Sequence, residues 1–167
     1  TAKIWDVRTG QLRHSLDGHK HDVISANFSP DGHLIVTASD DHTVRVWKVV
    51  SAQLLHILEG HGEKVLSAEF SPDSQLIVST SLETVKIWEA TTGALRRNIE
   101  RATHAQFSPS GRLILTTYWR NKDDGHIWDV ATGENYLDFF GGEAKFSSDG
   151  CIMVAPPCVY DVIQKTE

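Results

Sequence analysis

Gly18-His-Lys-His-Asp-Val-Ile-Ser-Ala-Asn-Phe28-Ser-Pro-Asp-Gly32, continuing as His33-Leu-Ile-Val-Thr-Ala-Ser39-Asp-Asp-His-Thr43-Val-Arg-Val-Trp47, sets the pattern on which the chain is organised. Val23 to Phe28, Leu34 to Ser39 and Thr43 to Val49 are short runs rich in β-branched and aromatic residues. The turn formers Ser29-Pro30-Asp31-Gly32 and Asp40-Asp41-His42 separate them. Such a pattern predicts three strands joined by tight turns.

The pattern recurs along the chain. Trp5, Trp47, Trp88 and Trp128 stand 42, 41 and 40 residues apart. Phe28, Phe70, Phe107 and Phe146 each lead into a turn, Ser-Pro-Asp-Gly, Ser-Pro-Asp-Ser, Ser-Pro-Ser-Gly and Ser-Ser-Asp-Gly in that order. Two independent markers therefore keep one beat of about 40 residues, far longer than a heptad and of the size that defines a supersecondary repeat. Tyr160-Asp161 closes a fifth, shorter interval in place of Trp-Asp.

Gly-His at 18–19 and 60–61, the Ser-Pro-Asp-Gly turns and Trp-Asp at 5–6 and 128–129 together resemble the WD-repeat β-propeller family from end to end. The resemblance implies an all-β fold, a β-propeller of four-stranded antiparallel blades with strand a innermost and d outermost. On that order residues 2–17 are strands c and d of one blade. Full blades follow at about 21–59, 64–101 and 102–140, and strands a to c at about 143–163. About four blades are expected, part of a larger ring. Closing the ring on its own ends leaves one strand c redundant, so the remaining blades of a parent chain are the expected complement, with a homodimer as the alternative. Thr1 starting inside a strand points the same way.

The strand b runs Leu34-Ile35-Val36, Leu76-Ile77-Val78 and Leu113-Ile114-Leu115 are apolar without alternation, as a strand covered on both faces requires. Glycine recurs in the c–d turns as Arg8-Thr9-Gly10, Thr91-Thr92-Gly93 and Ala131-Thr132-Gly133, which predicts a left-handed backbone position. Val50-Ser51-Ala52 departs from it. The loops before Phe107 and Phe146 are four to five residues shorter than the loop before Phe28 and lack Gly-His.

His19, Ser39, Asp41 and Trp47 contain the ingredients of a Ser-His-Asp triad. The resemblance assigns these positions instead to a buried hydrogen-bonded set tying the d–a loop to the b–c turn and to the tryptophan, with no catalytic residue. His61, Ser81 and Trp88 repeat three of the four, while Leu82 or Glu83 falls where Asp41 would be. His19 and His21 lie two apart in one loop, but no second group of ligands at metal spacing accompanies them, so no metal and no cofactor is expected.

A net charge of −6 without a basic block opposes a nucleic-acid surface. No run of about 18 apolar residues is present to form a membrane-crossing helix. Cys151 and Cys158 are the only thiols, and a hairpin turning at 155–158 places Cys151 opposite Asp161 or so, which predicts free thiols and a cytoplasmic setting.

The resemblance implies a protein or peptide partner on the top face. Matching positions are Lys20, His21 and Asp22, then Glu63 and Lys64, then Asp40 and His42. Their mixed charges fit a solvated rim equally well. A sharper candidate is Tyr118-Trp119-Arg120-Asn121-Lys122, where the third b–c connection leaves the repeat and Trp119 is the one tryptophan off the beat. Trp, Tyr and Arg are enriched at interface hot spots. Filling of space left by the lost Gly-His loop is the competing explanation. The function expected is an interaction scaffold or sensor platform within a larger regulatory protein. A peptide-binding substrate receptor and an enzyme with a site in the central channel are the alternatives.

Overall fold

The computed structural model describes residues 1–118, 125–140, 144–155 and 158–162. Among them every regular element is a strand. A two-stranded sheet holds β1 (Ala2–Trp5) and β2 (Leu12–Leu16). Three four-stranded sheets follow: β3 (Val23–Phe28), β4 (Leu34–Ser39), β5 (Val44–Lys48) and β6 (Leu54–Leu58); β7 (Val65–Phe70), β8 (Leu76–Ser81), β9 (Thr84–Glu89) and β10 (Leu95–Glu100); β11 (His104–Phe107), β12 (Leu113–Thr117), β13 (Gly125–Asp129) and β14 (Asn135–Phe139). A three-stranded sheet of β15 (Lys145–Phe146), β16 (Ile152–Ala155) and β17 (Cys158–Asp161) closes the series. Each sheet takes its strands in chain order, a row of antiparallel meanders.

The turns carry the sequence signals in atomic form. In the first four-stranded sheet Ser29 Oγ donates to Asp31 Oδ1 and accepts from Leu34 N at 2.9 Å, while His33 N donates to Asp31 at 3.0 Å. Gly32 then sits at φ +74°. Ser71, Asp73 and Leu76 repeat these bonds, and Ser74 takes the left-handed position at φ +61° without being glycine. At the c–d turns Gly10, Gly93 and Gly133 lie at φ +69° to +72°, as their recurrence predicts, and Ala52 adopts the same region at φ +54°. The repeat therefore keeps its backbone where its glycine has been lost, at a steric cost a Cβ atom imposes.

Register is repeated as closely as turn geometry. Ile35 faces Trp47, Ile114 faces Trp128 and Met153 faces Tyr160. The pairing of the third with the fourth strand shifts just before each tryptophan, at Ile4/Trp5, Val46/Trp47 and Ile127/Trp128. Such bulges turn the strand more sharply and re-aim the side chain that follows.

The chain forms two compact units, one of Thr1–Leu82 with Lys86–Asn98 and the other of Glu83–Val85 with Ile99–Glu167. In the first, Val36, Val44, Val46 and Leu58 of one sheet pack with Val65, Phe70, Ile77 and Trp88 of the next, and β4 and β8 are buried almost throughout. Asn27 Nδ2 donates to Ala68 O at 2.9 Å, and Ala68 N to Ser25 Oγ at 3.2 Å, joining β3 to β7 side by side. Ile4, Leu16, Ile35 and Trp47 form a separate cluster beneath the two-stranded sheet. In the second unit Leu115, Ile127, Phe139, Met153 and Val162 make the core, and Tyr136 Oη donates to Val162 O at 3.1 Å.

One expectation shifts by a residue. Ile152, not Cys151, pairs with Asp161, and Cys151 O accepts from Val162 N at 2.9 Å because pairing runs one residue past the strand end. Cys151 Sγ donates to Asp149 O at 3.7 Å, and Cys158 faces Ala155.

Candidate functional site

The best-connected polar cluster lies in the first unit, where the loop after β2 meets the turn after β4. His19 Nδ1 lies 2.8 Å from Asp41 Oδ2, and His19 Nε2 lies 2.8 Å from Thr37 Oγ1. Trp47 Nε1 donates to the same Thr37 oxygen at 3.0 Å. One proton arrangement satisfies every atom: Trp47 N–H donates to Thr37, Thr37 O–H to His19 Nε2, and His19 Nδ1–H to Asp41. Asp41 also accepts from Lys20 N at 2.9 Å, Thr43 N at 3.0 Å and Thr43 Oγ1 at 2.7 Å. Its carboxylate thus holds the Lys20 loop to the Thr43 turn.

The structure brings together His19, Asp41 and Trp47 as the sequence suggests, but it does not place Ser39 between them. Ser39 Oγ donates to His21 O at 3.5 Å and accepts from Asp41 N at 3.1 Å. Thr37, two residues earlier on the same face of β4, occupies the central position. The second repeat behaves alike. Ser79, not Ser81, meets His61 Nε2 at 2.7 Å and accepts from Trp88 Nε1 at 2.8 Å. In the third repeat, which has no Gly-His, Trp128 Nε1 still donates to Thr116 Oγ1 at 2.9 Å. A count along the chain finds these hydroxyls: Thr37, Ser79 and Thr116 each stand nine residues after Phe28, Phe70 and Phe107.

Electrostatics agree with a neutral imidazole. Burial lowers the pKa of His19, and the bond and charge of Asp41 offset only part of that. Burial raises Asp41, yet the bonds from Thr43, Lys20 and His19 outweigh it and hold the carboxyl well below its ordinary value. His61 drops to about 4 through burial and the nearby Lys86 charge. The Thr37 hydroxyl is buried and both its bonds are committed, so the cluster offers a relay between strands and no free nucleophile.

Two further roles were not legible from motif reading. Gly18, at φ +146°, leaves room for Arg45, whose Nη1 would lie 2.2 Å from a Cβ there. The aspartate after tryptophan caps the c–d turn: Asp6 Oδ1 accepts from Arg8 N and Thr9 N, and Asp129 Oδ1 from Ala131 N and Thr132 N, all at 2.9 Å. Asp6 also pairs with Arg13, and that bond with the Thr9 amide brings its pKa to about 2.

The surface residues divide. Lys20, His21 and Asp22 are exposed on a loop whose backbone Asp41 fixes, with exposed His42 on the adjoining turn. Exposed Glu63 and Lys64 occupy the corresponding loop, and Lys64 Nζ lies 3.8 Å from Asp40. Tyr118 is half-buried and lines a cavity of about 410 Å³ with Glu83, Thr84, Glu100 and Arg101 in the second unit. Trp119, Arg120 and Lys122 lie outside the described residues. Among the described residues no group of three His, Cys, Asp or Glu is placed to hold a metal, and no helix is long and apolar enough to cross a membrane.

Repeated four-stranded antiparallel sheets, linked inside by a tryptophan–hydroxyl–histidine relay, define the blades of a WD-type β-propeller. The chain belongs to the WD-repeat family. The family model described as "WD domain, G-beta repeat" matches residues 10–48 and 52–89. The chain is similar to the guanine nucleotide-binding protein subunit beta of Zea mays, 31% identical over 153 residues, covering 91% of this chain and 31% of that protein. It is also similar to the nuclear distribution protein PAC1 of Arthroderma benhamiae, 26% identical over 181 residues, covering 98% of this chain and 38% of that one. A shorter match, 46% over 41 residues, joins 25% of this chain to 12% of eukaryotic translation initiation factor 3 subunit I of Bombyx mori. The chain spans about a third of the length of the two relatives it matches along most of its own. Proteins of this family generally act as protein-interaction scaffolds.

Proposed function

We propose that this chain is the interaction platform of a larger regulatory protein, working in the cytoplasm, with Lys20, His21, Asp22, His42, Glu63 and Lys64 as the contact surface for a protein partner. The observation that carries this reading is the carboxylate of Asp41. By holding Lys20 N and Thr43 together it presents charged, exposed side chains on a backbone that loses little freedom when a partner binds. Two of the relatives are named as subunits, which supports work within an assembly.

The test is quantitative affinity capture with the immobilised chain and with a variant carrying Lys20→Glu, His21→Ala and Lys64→Glu. A protein retained by the unaltered chain and lost from the variant, at unchanged melting temperature, supports the reading. Identical capture by both removes it.

A second reading, a substrate receptor taking a peptide, draws on the Tyr118 cavity, where Glu83 and Glu100 supply carboxylates beside an aromatic ring. It calls for a basic peptide, and Glu83→Gln with Glu100→Gln should abolish capture there.

A further inference from the structure

Two residues before each tryptophan of the repeat stands a basic side chain: Lys3, Arg45, Lys86 and His126. In three of these places the neighbouring outer strand carries a polar group. Lys3 faces Ser15, Lys86 Nζ donates to Asn98 Oδ1 at 2.8 Å, and His126 Nδ1 lies 2.6 Å from Asp138 Oδ1. Arg45 is the exception, because the residue opposite it on β6 is Ile57.

Arg45 is nevertheless only 8% exposed, and its Nε is buried with no hydrogen-bond partner. Among the described residues no carboxylate forms an ion pair with it. A buried cation in that state is costly, and the cost falls when an anion joins it. The way in lies at Gly18, which is exposed and has no side chain to cover the guanidinium; a Cβ there would collide with Arg45 Nη1. The unneutralised charge is felt next door. Burial does most to lower the pKa of His19, Asp41 opposes it, and Arg45 lowers it further.

We propose that Arg45 is the receptor for an oxyanion, the phosphate or carboxylate of a side chain on a bound protein, which enters past Gly18. Because Nε is buried, the edge presented to it is the pair Nη1 and Nη2. Their parallel N–H groups match two oxygens of either anion, and a lysine at the same place would offer only a point charge. Ile57 leaves the guanidinium without the competing acceptor that Asn98 gives Lys86 and Asp138 gives His126. That the oxyanion belongs to a protein rests on the contact surface proposed above, whose Lys20 follows Gly18 by two residues. Failed capture would remove the protein source, whereas failed anion titration would remove the site itself.

The probes are inorganic phosphate and acetate, each titrated into the intact chain at constant ionic strength while NMR follows the Arg45 Nε–H and the Gly18 amide. The expected result is a saturable shift of both signals, with the Gly18 response lost in Arg45→Gln. Ile57→Asp keeps the arginine and gives it a carboxylate across the strand pair, so anion affinity should fall by about tenfold or more. Lys48→Ala, which removes an exposed cation from the same strand, should change nothing. A response to phosphate alone assigns a phosphorylated side chain, and a response to both anions admits a carboxylate. Absence of a saturable shift in a chain folded by circular dichroism overturns the proposal. So does undiminished affinity in Ile57→Asp, or a loss in Lys48→Ala as large as in Arg45→Gln, which would assign the effect to general surface charge.

Discussion

Thr37 Oγ1 lies between Trp47 Nε1 and His19 Nε2, 3.0 Å from one and 2.8 Å from the other, and so joins the strand of the tryptophan to the loop of the histidine. Replacing it with valine keeps the shape and leaves two buried nitrogens without their partner. We expect Thr37→Val to destabilise by about 2–4 kcal/mol, and Ser39→Ala by about 1 kcal/mol because its bonds are longer and at the margin of the cluster. Urea denaturation of the two variants checks the order. Equal losses would remove Thr37 from its central position.

Asp41 collects two backbone N–H groups from separate loops. Asp41→Ala should raise amide exchange at Lys20 and Thr43 by tenfold or more while leaving the second unit unaffected, since each charge-assisted bond contributes about 1.5–3 kcal/mol. Residue-resolved hydrogen exchange reads this directly.

Acid should weaken the fold through His61. Its pKa in the folded chain, about 4, lies below the 6.5 of an unhindered imidazole, so the unfolded chain binds the extra proton first. Stability is full above about pH 6.5 and falls as pH drops toward 4, by an amount on the order of 2–3 kcal/mol. His61→Gln should flatten that segment of the stability profile. An unchanged slope would assign it to other groups.

Gly125 faces Phe139 across β13 and β14, and a Cβ on the glycine would stand 2.3 Å from the phenyl ring. The corresponding pair in the first complete sheet is Val44 with Leu58, so the third sheet has traded one medium pair for a small and a large residue. Gly125→Ala should expel Phe139 from its core and destabilise by about 3 kcal/mol or more. Restoring the volume with Phe139→Leu should recover part of it.

Gly10 and Gly93 share a left-handed backbone but not a neighbourhood. A Cβ at Gly10 meets nothing within 4 Å, and one at Gly93 meets His56 at 3.1 Å and Leu58 at 3.2 Å. Gly10→Ala therefore measures the backbone term alone, about 1 kcal/mol, and Gly93→Ala should lose about 1 kcal/mol more. Thermal melts of the pair separate the two contributions.

The all-β character of the chain and the shape of its turns were legible in the sequence. Those follow from local chemistry: Ser-Pro-Asp-Gly turns, β-branched runs and a tryptophan beat are each written within a few residues. It also carried His19, Asp41 and Trp47 as members of one cluster, through the family they resemble. Which hydroxyl joins them is settled by strand pairing in three dimensions. Thr37 and Ser39 point to the same face of β4 because side chains alternate with a period of two, so the local pattern is identical for both. The choice is made by register across β4 and β5, which places Ile35 opposite Trp47 and hence Thr37 beneath its indole. The same holds for Gly125 beneath Phe139: it depends on what lies on the neighbouring strand, which no run of consecutive residues records.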